Sequence, residues 1–492
     1  MFKKAVSVLL VCFMVVLSFA GCKGDDKDAC IYFDLNAVPT TLDPQTAETD
    51  SELVIVRNIY EGLLRKDASG KIVEGVCESY KKSGNTYTFN LKKGLKWSNG
   101  KELAADDFLF ALERAVNPKT RAPFVSRLFS IKGAEEIYNS GADISELGVK
   151  KSGKYTLKIT LDYDDPDFKE TLTSSICMPC NREFFEESTG KYGLKSEWVI
   201  SNGSYALTRW NKEDFGIRIY RNDDYKGSFK AKNGSVFISC RNDEKTDELL
   251  YDNKVDIAFI SNEDLGTLES DKVTIESYQN KCWVLHINSK YDPDIRRAFA
   301  MLVSDRGYSD ALSKGYNAAS SFYPEVLGIK DAAGVGIRDY NLEKSRQIFS
   351  DAVKKYEDKK FPSTTLYYYN EPSVKPAVTA VVGHWQQRLS AFVNIKSANS
   401  LEALISDAKT DNIDFAIYPV TARSGSVKEY LNNFDVKGDK SLAVELQKQI
   451  LAEDRVIPVA FESANMGYTS LITKFVSDPF NGYIDFSFIT KK

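Results

Sequence analysis

Histidine is almost missing from this chain of 492 residues, which contains His286 and His384 and no other. A metal site built from several histidines is therefore excluded, and a Ser/His/Asp hydrolase would have two candidate bases. The sequence also lacks a Gly-x-Ser-x-Gly nucleophile elbow, an HExxH zinc motif and a P-loop. Catalysis therefore has no visible machinery in this sequence, and we expect neither an enzyme nor a bound metal or cofactor.

An excess of charge of one sign is also missing. The 65 basic and 69 acidic residues give a formal net charge of −4, and no cluster of Lys and Arg stands out. Nucleic acid is therefore not an expected partner. The length suggests roughly two to four domains at about 100 to 200 residues each, and 43% hydrophobic residues can fill their cores.

Long hydrophobic runs are missing except at the N-terminus. Lys3 and Lys4 precede an apolar run over residues 5–16, which is shorter than the roughly 20 residues that a membrane-spanning helix needs. This pattern predicts a signal peptide over residues 1–21. The run Phe19-Ala20-Gly21-Cys22 resembles a bacterial lipobox, with Phe19 where Leu is usual. It implies that Cys22 is lipidated, that residues 22–30 form a tether, and that the protein lies on the outer face of the cytoplasmic membrane. A plain transmembrane anchor is the alternative.

Residues 84–118 have the clearest local pattern. Apolar and polar residues alternate over Tyr87, Phe89 and Leu91, which predicts a half-buried strand, and Asn99-Gly100 predicts a tight turn. A helix is predicted next, because apolar residues recur at helical spacing and Pro118 ends the pattern. Those apolar residues are Phe108, Ala111, Leu112 and Ala115.

The same stretch resembles the signature of bacterial extracellular solute-binding proteins of family 5. These are the oligopeptide-, dipeptide- and nickel-binding lipoproteins of ABC importers. Their segment reads approximately "tftLrkgvkWsDGtpvtAdDfvyswkRa.dP". The matching residues here are Leu91, Lys96, Trp97, Ser98, Gly100, Ala105, Asp106, Asp107, Phe108, Arg114, Ala115 and Pro118. Two further matches are Leu42-Asp43-Pro44 and Ile59-Tyr60-Glu61-Gly62-Leu63-Leu64.

The resemblance implies a two-lobed α/β fold of the periplasmic-binding-protein type (type II, cluster C), with a discontinuous lobe one and an inserted small subdomain. Lobe one would comprise residues 31–65, 196–280 and 472–492, and the subdomain residues 66–195. Lobe two would comprise residues 281–471. Within lobe two and at its border we predict strands over residues 282–287, 414–419 and 456–461 and a helix over residues 376–392.

The ligand would lie between the lobes. Lobe one is expected to contribute Glu48, Thr49, Asp50 and Phe124, and lobe two Tyr418, Val420, Thr421, Arg423 and Glu462.

Arg423 departs from the family pattern. Peptide-binding members carry an aspartate in this loop, where its carboxylate receives the α-ammonium group of the peptide. When Tyr430-Leu431-Asn432 is aligned with the family's "fLn", Arg423 falls at that aspartate. A guanidinium there would repel an ammonium and suit a carboxylate or a phosphate. Alternatively, the loop is rearranged and Arg423 lies in solvent.

Six cysteines follow Cys22, and two of them, Cys177 and Cys180, have CxxC spacing. This spacing fits a structural disulfide, a pair of free thiols or half of a metal site. In an exported protein we favour the disulfide.

The function implied by the resemblance is capture of a peptide or peptide-like solute by a monomeric lipoprotein and its delivery to the permease subunits of an ABC importer. Two alternatives remain. One is a sensory or adhesion lipoprotein that keeps the fold without transport, and the other is an exported enzyme.

Overall fold

The computed structural model describes residues 29–35, 37–211, 216–240, 245–268, 271–303, 314–371, 374–480 and 483–492. The predicted signal peptide 1–21, the lipidation residue Cys22 and most of the tether lie outside the described residues. No helix in the described ranges is long and apolar enough to cross a membrane.

The described part of the chain contains strands β1–β21. Their bounds are Cys30–Asp34, Leu64–Lys66, Ile72–Glu74, Cys77–Ser83, Thr86–Leu91, Val149–Lys151, Thr156–Thr160, Tyr205–Asn211, Gly216–Arg221, Ser235–Ser239, Ile257–Ile260, Val273–Ile287, Tyr316–Ala318, Thr364–Tyr369, Val393–Ala398, Phe415–Thr421, Val456–Thr469, Ile472–Lys474, Ser477–Asp478, Tyr483–Ile484 and Thr490–Lys491.

The α-helices of the same ranges are numbered α1–α12. Their bounds are Asp50–Ile59, Ala105–Val116, Ala134–Ser140, Phe168–Thr171, Arg182–Glu187, Thr246–Tyr251, Pro293–Val303, Leu342–Val353, Lys375–Leu389, Leu401–Lys409, Val427–Leu431 and Ala443–Leu451.

One large mixed sheet passes through both lobes, in the order β15-β14-β16-β12-β17-β11-β1-β10-β9-β8, with β13 beside β17. Its spine is the antiparallel pair of long strands β12 and β17, which pair from Val273 with Thr469 to His286 with Val456. One end of this pair is continued by β11 and the other end by β16. The two lobes are thus halves of one sheet joined by two strands.

A register shift interrupts the pairing of β12 with β17 between Gln279 and Lys281. Such a bulge bends a strand and locally disrupts its ladder. The predicted lobe boundary between residues 280 and 281 falls at this bulge, although the boundaries themselves stay a prediction. A second sheet, in the order β4-β5-β7-β6, lies within the predicted subdomain.

The hydrophobic cores follow this arrangement. One core cluster joins lobe-one residues such as Phe33 and Ile219 to subdomain residues such as Trp97 and Phe108. Lobe two has a separate cluster on each face of its half-sheet, because neighbouring residues of β12 alternate between them: Trp283 belongs to one and Val284 to the other. The subdomain therefore shares a core with lobe one, and lobe two has two cores of its own, although Met466 near the end of β17 lies in the lobe-one cluster.

The stretch over residues 84–118 folds as its pattern predicts. Tyr87, Phe89 and Leu91 are buried on strand β5, and the turn glycine Gly100 has a φ of 84°. Helix α2 begins at Ala105, and Ala104 provides no side-chain cap. The carboxylate of Asp107 takes over part of that role by accepting the Ala104 backbone N–H at 2.8 Å. An acidic residue in the first turn also suits the positive end of the helix dipole.

The cysteines differ from the sequence-based expectation. Cys177 and Cys180 are buried free thiols, as are Cys77 and Cys282, and Cys30 is a half-buried free thiol. Cys177 packs in the core of lobe one, whereas Cys180 belongs to a small cluster with Phe110 and Tyr192. The Cys180 sulfur accepts a hydrogen bond from Arg114 Nη1 at 3.2 Å. The two thiols have separate surroundings, which explains why the CxxC spacing does not produce a disulfide here.

Candidate ligand-binding cleft

Within the described residues, one short segment of lobe two, residues 423–429, contacts lobe one and the subdomain, and we call it the bridging segment. It follows the buried strand β16. Directly after that strand, the backbone N–H of Ala422 donates a hydrogen bond to the backbone oxygen of Asn280 at 2.8 Å, beside the bulge of β12. Its far end is fixed by the N-cap of helix α11, where the Ser426 hydroxyl accepts the Glu429 N–H at 3.1 Å. The strand end and the helix cap thus hold the segment at the mouth of the cleft.

The bridging segment makes polar contacts with the subdomain across the lobe boundary. Arg127 Nη2 forms an ion pair with Glu429 Oε1 at 2.6 Å. The Ser426 hydroxyl donates to Asp167 Oδ2 at 2.5 Å, and Lys428 Nζ donates to Tyr163 Oη at 2.9 Å. Because charged partners strengthen such bonds, these contacts hold the bridging segment against the subdomain in this structure.

Arg423 lies at the junction of the lobes. Its Nη1 is 3.5 Å from the backbone oxygen of Glu48 and 3.6 Å from Asp50 Oδ1, and its guanidinium carbon is 5.7 Å from the ring centre of Phe124. Its side chain is 30% exposed. The structure therefore brings together four of the residues expected at the ligand, namely Glu48, Asp50, Phe124 and Arg423.

The other residues expected at the ligand make contacts within the protein itself. Thr49 is the N-cap of helix α1 and forms a capping box with Glu52. Tyr418 and Val420 are buried in the core cluster of lobe two that also contains Val284, because they share the inner face of β16. Thr421 is half-buried at the end of that strand and pairs with Lys281.

Glu462 is buried in a compact charged group at the hinge. One of its carboxylate oxygens accepts a hydrogen bond from Lys281 Nζ at 2.7 Å and the other from Trp283 Nε1 at 2.6 Å. Burial alone would lower the pKa of Lys281, but the charge of Glu462 outweighs it and raises that pKa. Burial, together with the charge of Glu462, also raises the pKa of Glu371. Glu462 thus has hydrogen-bond partners within the protein, and its contact with a ligand stays a prediction.

Four of the ten residues that line a small cavity at the lobe junction are cationic, and we call it the cation cavity. With a volume of about 10 Å³, it has room for about one water molecule. Its one acidic lining residue, Glu170, pairs with Lys66 Nζ at 2.7 Å. The lining residues are Arg57, Lys66, Phe124, Arg127, Glu170, Thr173, Ser174, Ser175, Arg423 and Ser424. Lys66 also pairs with Asp478, Arg127 pairs with Glu429 and Arg423 lies near Asp50, so carboxylates offset most of the positive charge around this cavity.

Sequence reasoning missed most of the residues that bridge the lobes. Arg127, Glu429, Ser426, Asp167 and Lys428 gave no local signal beyond lying in polar loops. Arg127 and Glu429 are separated by 302 positions, so no local pattern could have paired them. The position of Arg423 was found because the resemblance pointed to its loop.

Comparisons with known proteins fit this geometry. Residues 71–441 match the family described as "Bacterial extracellular solute-binding proteins, family 5 Middle". The chain is 26% identical to the dipeptide-binding protein DppE of Bacillus subtilis, over 94% of this chain and 92% of DppE. It is also similar to the structure of Listeria monocytogenes OppA bound to peptide, with 19% identity, 96% and 100% of the two chains covered and a TM-score of 0.77. A complex of Haemophilus influenzae OppA with RPPGFSPFR gives the same TM-score at 20% identity, covering 95% of this chain and 100% of that one.

Proposed function

This chain belongs to the bacterial extracellular solute-binding proteins of family 5, and from that premise we propose that it captures a peptide or peptide-like solute between its lobes and delivers it to the permease of an ABC importer. The relatives compared above are named for binding dipeptides or oligopeptides, which supports this ligand class. Capture of this kind requires no chemical step.

The observation that carries the proposal is the bridging segment. It contacts lobe one and the subdomain through Arg127, Tyr163 and Asp167 and places Arg423 beside Asp50. A ligand held between these surfaces binds the closed state better than the open one and shifts the population towards closure. A permease that recognises the closed form would then be loaded only by liganded protein.

The ligand carries an anionic or blocked group where it meets Arg423. The position of Arg423 at the lobe junction supports this part of the proposal, because an α-ammonium group bound there would face its guanidinium. Asp50 offsets part of this charge, but it is 45% exposed and 3.6 Å from Arg423. N-acetylated peptides and ligands with a carboxylate at this end therefore bind better than free-amine peptides.

Anchoring through lipid on Cys22 would keep the protein next to its permease. We expect the Cys22→Ser variant to leave the membrane fraction or to remain unprocessed. Unchanged membrane partition of that variant would rule out the anchor. Monomeric behaviour in size-exclusion chromatography is the expected state of the solubilised protein.

Native mass spectrometry of protein purified without denaturation tests the function most directly. We expect a bound peptide or peptide-like molecule, released unchanged on unfolding, and compaction in solution scattering when that ligand is added back to stripped protein. An empty cleft after purification, combined with no compaction by a peptide library, would contradict peptide capture. Hydrolysed peptides would instead indicate an enzyme.

A further inference from the structure

The outer face of the lobe-one half-sheet presents aromatic side chains to solvent. Alternate residues of strands β1, β9 and β10, such as Phe33, Ile219 and Val236, enter the core of lobe one. Their neighbours in sequence lie on the opposite face of the sheet. On that face Tyr32 is 40% exposed and Tyr220 is 42% exposed. Two large rings are thus exposed on one side of lobe one.

Arg218 and Phe237 join these two tyrosines into one surface, which we call the outer patch. Tyr32 pairs with Phe237, and Phe237 with Arg218, so the three lie side by side across strands β1, β10 and β9. The ring centres of Tyr32 and Phe237 are 6.0 Å apart, and the guanidinium carbon of Arg218 is 5.2 Å from the Phe237 ring centre. Arg218 Nη1 also donates to Tyr220 Oη at 3.2 Å. Within the described residues no ion pair joins Arg218 to a carboxylate. The outer patch is thus aromatic and positively charged.

Exposed lysines lie at the end of the sheet where β1 begins. Lys230 and Lys232 are exposed on the loop between β9 and β10. This loop ends beside the start of β1, where the backbone N–H of Gly234 donates to the backbone oxygen of Ala29 at 3.0 Å. The two lysines therefore lie near the place where the chain enters lobe one.

Acidic residues of the same loop offset only part of this charge. Asp223 pairs with Arg221 at 3.0 Å, and Asp224 and Lys226 are both exposed. The charges of these four residues cancel. Lys230 and Lys232 therefore leave residues 221–232 with a net positive charge.

The last two residues of the chain add basic side chains at the same end. Lys491 Nζ donates to the backbone oxygen of Cys30 at 2.9 Å and pairs with Asp256 Oδ2 at 2.7 Å. Asp256 is buried, so this pair presents no carboxylate to solvent. Lys492, which follows, is exposed. The basic residues of this end come from three distant parts of the sequence, which explains why the sequence shows no basic cluster.

The predicted tether would keep this end of lobe one near the membrane. Cys22, the predicted lipidation residue, precedes Cys30 by eight residues. A fully extended chain spans at most about 3.6 Å per residue, so eight residues reach no further than about 29 Å. With lipid on Cys22, the start of β1 would therefore stay close to the lipid headgroups.

We propose that the outer patch, together with Lys230, Lys232 and Lys492, binds an anionic phospholipid surface. The tyrosines suit the headgroup region because each combines an apolar ring with a polar hydroxyl. The basic side chains are attracted by the negative surface potential of anionic lipids. Docking of this kind orients lobe one on the membrane, which peptide capture by itself does not require. The anchor would raise the concentration of this surface at the bilayer, whereas the binding itself does not depend on the anchor.

The first arm of the test measures binding without the anchor. It uses residues 22–492 with Cys22→Ser, a form that lacks the predicted signal peptide and contains every described residue. The protein is floated with vesicles of phosphatidylcholine alone or with about 30 mol% phosphatidylglycerol. We expect a partition coefficient about tenfold higher on the anionic vesicles, decreasing as salt increases. Equal partition on the two kinds of vesicle would overturn the proposal.

Variants of the same form locate the lipid contact. Lys230→Gln combined with Lys232→Gln should remove most of the preference for anionic vesicles, because both lysines are exposed and face the anionic lipid. Tyr220→Ser should weaken binding to both kinds of vesicle. The matched control is Lys354→Gln combined with Lys360→Gln, which removes the same charge from exposed positions of lobe two. A double lysine variant of the loop that behaves as this control would contradict the proposal.

The second arm uses the acylated protein in the same vesicles, with acetylation of its lysines measured by mass spectrometry. We expect Lys230 and Lys232 to react about fivefold more slowly on anionic than on neutral vesicles, while Lys354 and Lys360 react equally on both. Equal reactivity of all four lysines would overturn the proposal. Protection that requires the permease in the vesicle would assign this surface to the permease and overturn the lipid assignment. If Cys22 carries no lipid, the anchor prediction fails while the first arm still decides on the lipid surface.

Discussion

Two arginine–aspartate pairs in this protein have opposite surroundings. Arg114 Nη2 lies 2.6 Å from Asp43 Oδ2 inside lobe one, and the two side chains are 8% and 7% exposed. Arg423 Nη1 lies 3.6 Å from Asp50 Oδ1 across the lobe boundary, with side chains 30% and 45% exposed. The buried pair also has further partners, since Arg114 donates to Gln45 and lies 4.0 Å from the ring centre of Phe185.

This difference indicates separate roles for the two pairs. Removing one partner of a buried pair leaves the other charge buried without a counter-ion, which strongly destabilises the fold. An exposed, longer pair contributes little to stability and can open and close at low cost. We therefore expect charges inside a lobe to stabilise the fold, and charges between the lobes to affect closure and ligand choice.

The largest effect is expected for Arg114→Met. The substitution leaves the Asp43 carboxylate buried without its counter-ion, and we expect a loss of about 3 to 5 kcal/mol in the free energy of unfolding, measured in urea. The control is Arg182→Met, because Arg182 is 42% exposed and pairs with Glu113 at 2.9 Å. A loss below about 1 kcal/mol for Arg114→Met would remove the contrast between the two kinds of pair.

A buried titratable group inside lobe two should also act on stability. His286 is 6% exposed, and burial, reinforced by the charge of Arg455, lowers its pKa to about 4 despite the carboxylate of Asp411. The unfolded chain takes up a proton near pH 6.5, whereas the folded protein does so near pH 4. Stability is therefore lost as the pH falls through this window, by about 2 kcal/mol between pH 7 and pH 5.

His286→Leu tests this pH dependence. The variant should have a flatter profile of unfolding free energy between pH 7 and pH 5, while its ligand affinity at pH 7 matches that of wild type. Parallel profiles for the two proteins would show that His286 does not contribute.

Arg423→Asp addresses the pair between the lobes. For a peptide that binds wild type, we expect the free-amine form to gain about tenfold in affinity over its acetylated form, because the guanidinium no longer opposes the ammonium. Stability in urea should barely change. Calorimetry measures the affinities, and Arg346→Asp, on the exposed face of helix α8, is the matched control. A wild type that already prefers the free amine, with no change in Arg423→Asp, would contradict the role of Arg423.

The smallest effect is expected for the pair of Arg127 with Glu429. A double-mutant cycle with Arg127→Gln and Glu429→Gln should give a coupling of about 0.5 to 1 kcal/mol in ligand affinity, decreasing as salt increases. Scattering should show a less compact unliganded protein in either single variant. A coupling that is zero at low salt would mean that this contact does not favour closure.

Parts of the fold were predictable from local pattern and resemblance. Strand β5 and helix α2 match their predicted periodicities, because the spacing of their own apolar residues indicates which face is buried. The two-lobed α/β fold is confirmed by the solved structures that the chain resembles, and the family resemblance by the match over residues 71–441. The predicted helix 376–392 is observed at Lys375–Leu389.

The long strands were predicted too short. Residues 282–287 and 456–461 were expected as strands, whereas β12 covers Val273–Ile287 and β17 covers Val456–Thr469. The added residues mix polar and apolar side chains without a clear period, and they become strand because each long strand supplies the other's hydrogen bonds.

By itself, the sequence determined the local elements, the family and the loop that contains Arg423. The tertiary structure alone decided what that loop touches. Ser426 meets Asp167 and Lys428 meets Tyr163 across 259 and 265 positions of sequence. A periodic pattern reports which face of its own element is buried, but it holds no information on which distant surface will cover that face. Partners across the cleft are therefore set only when both halves of the sheet are assembled.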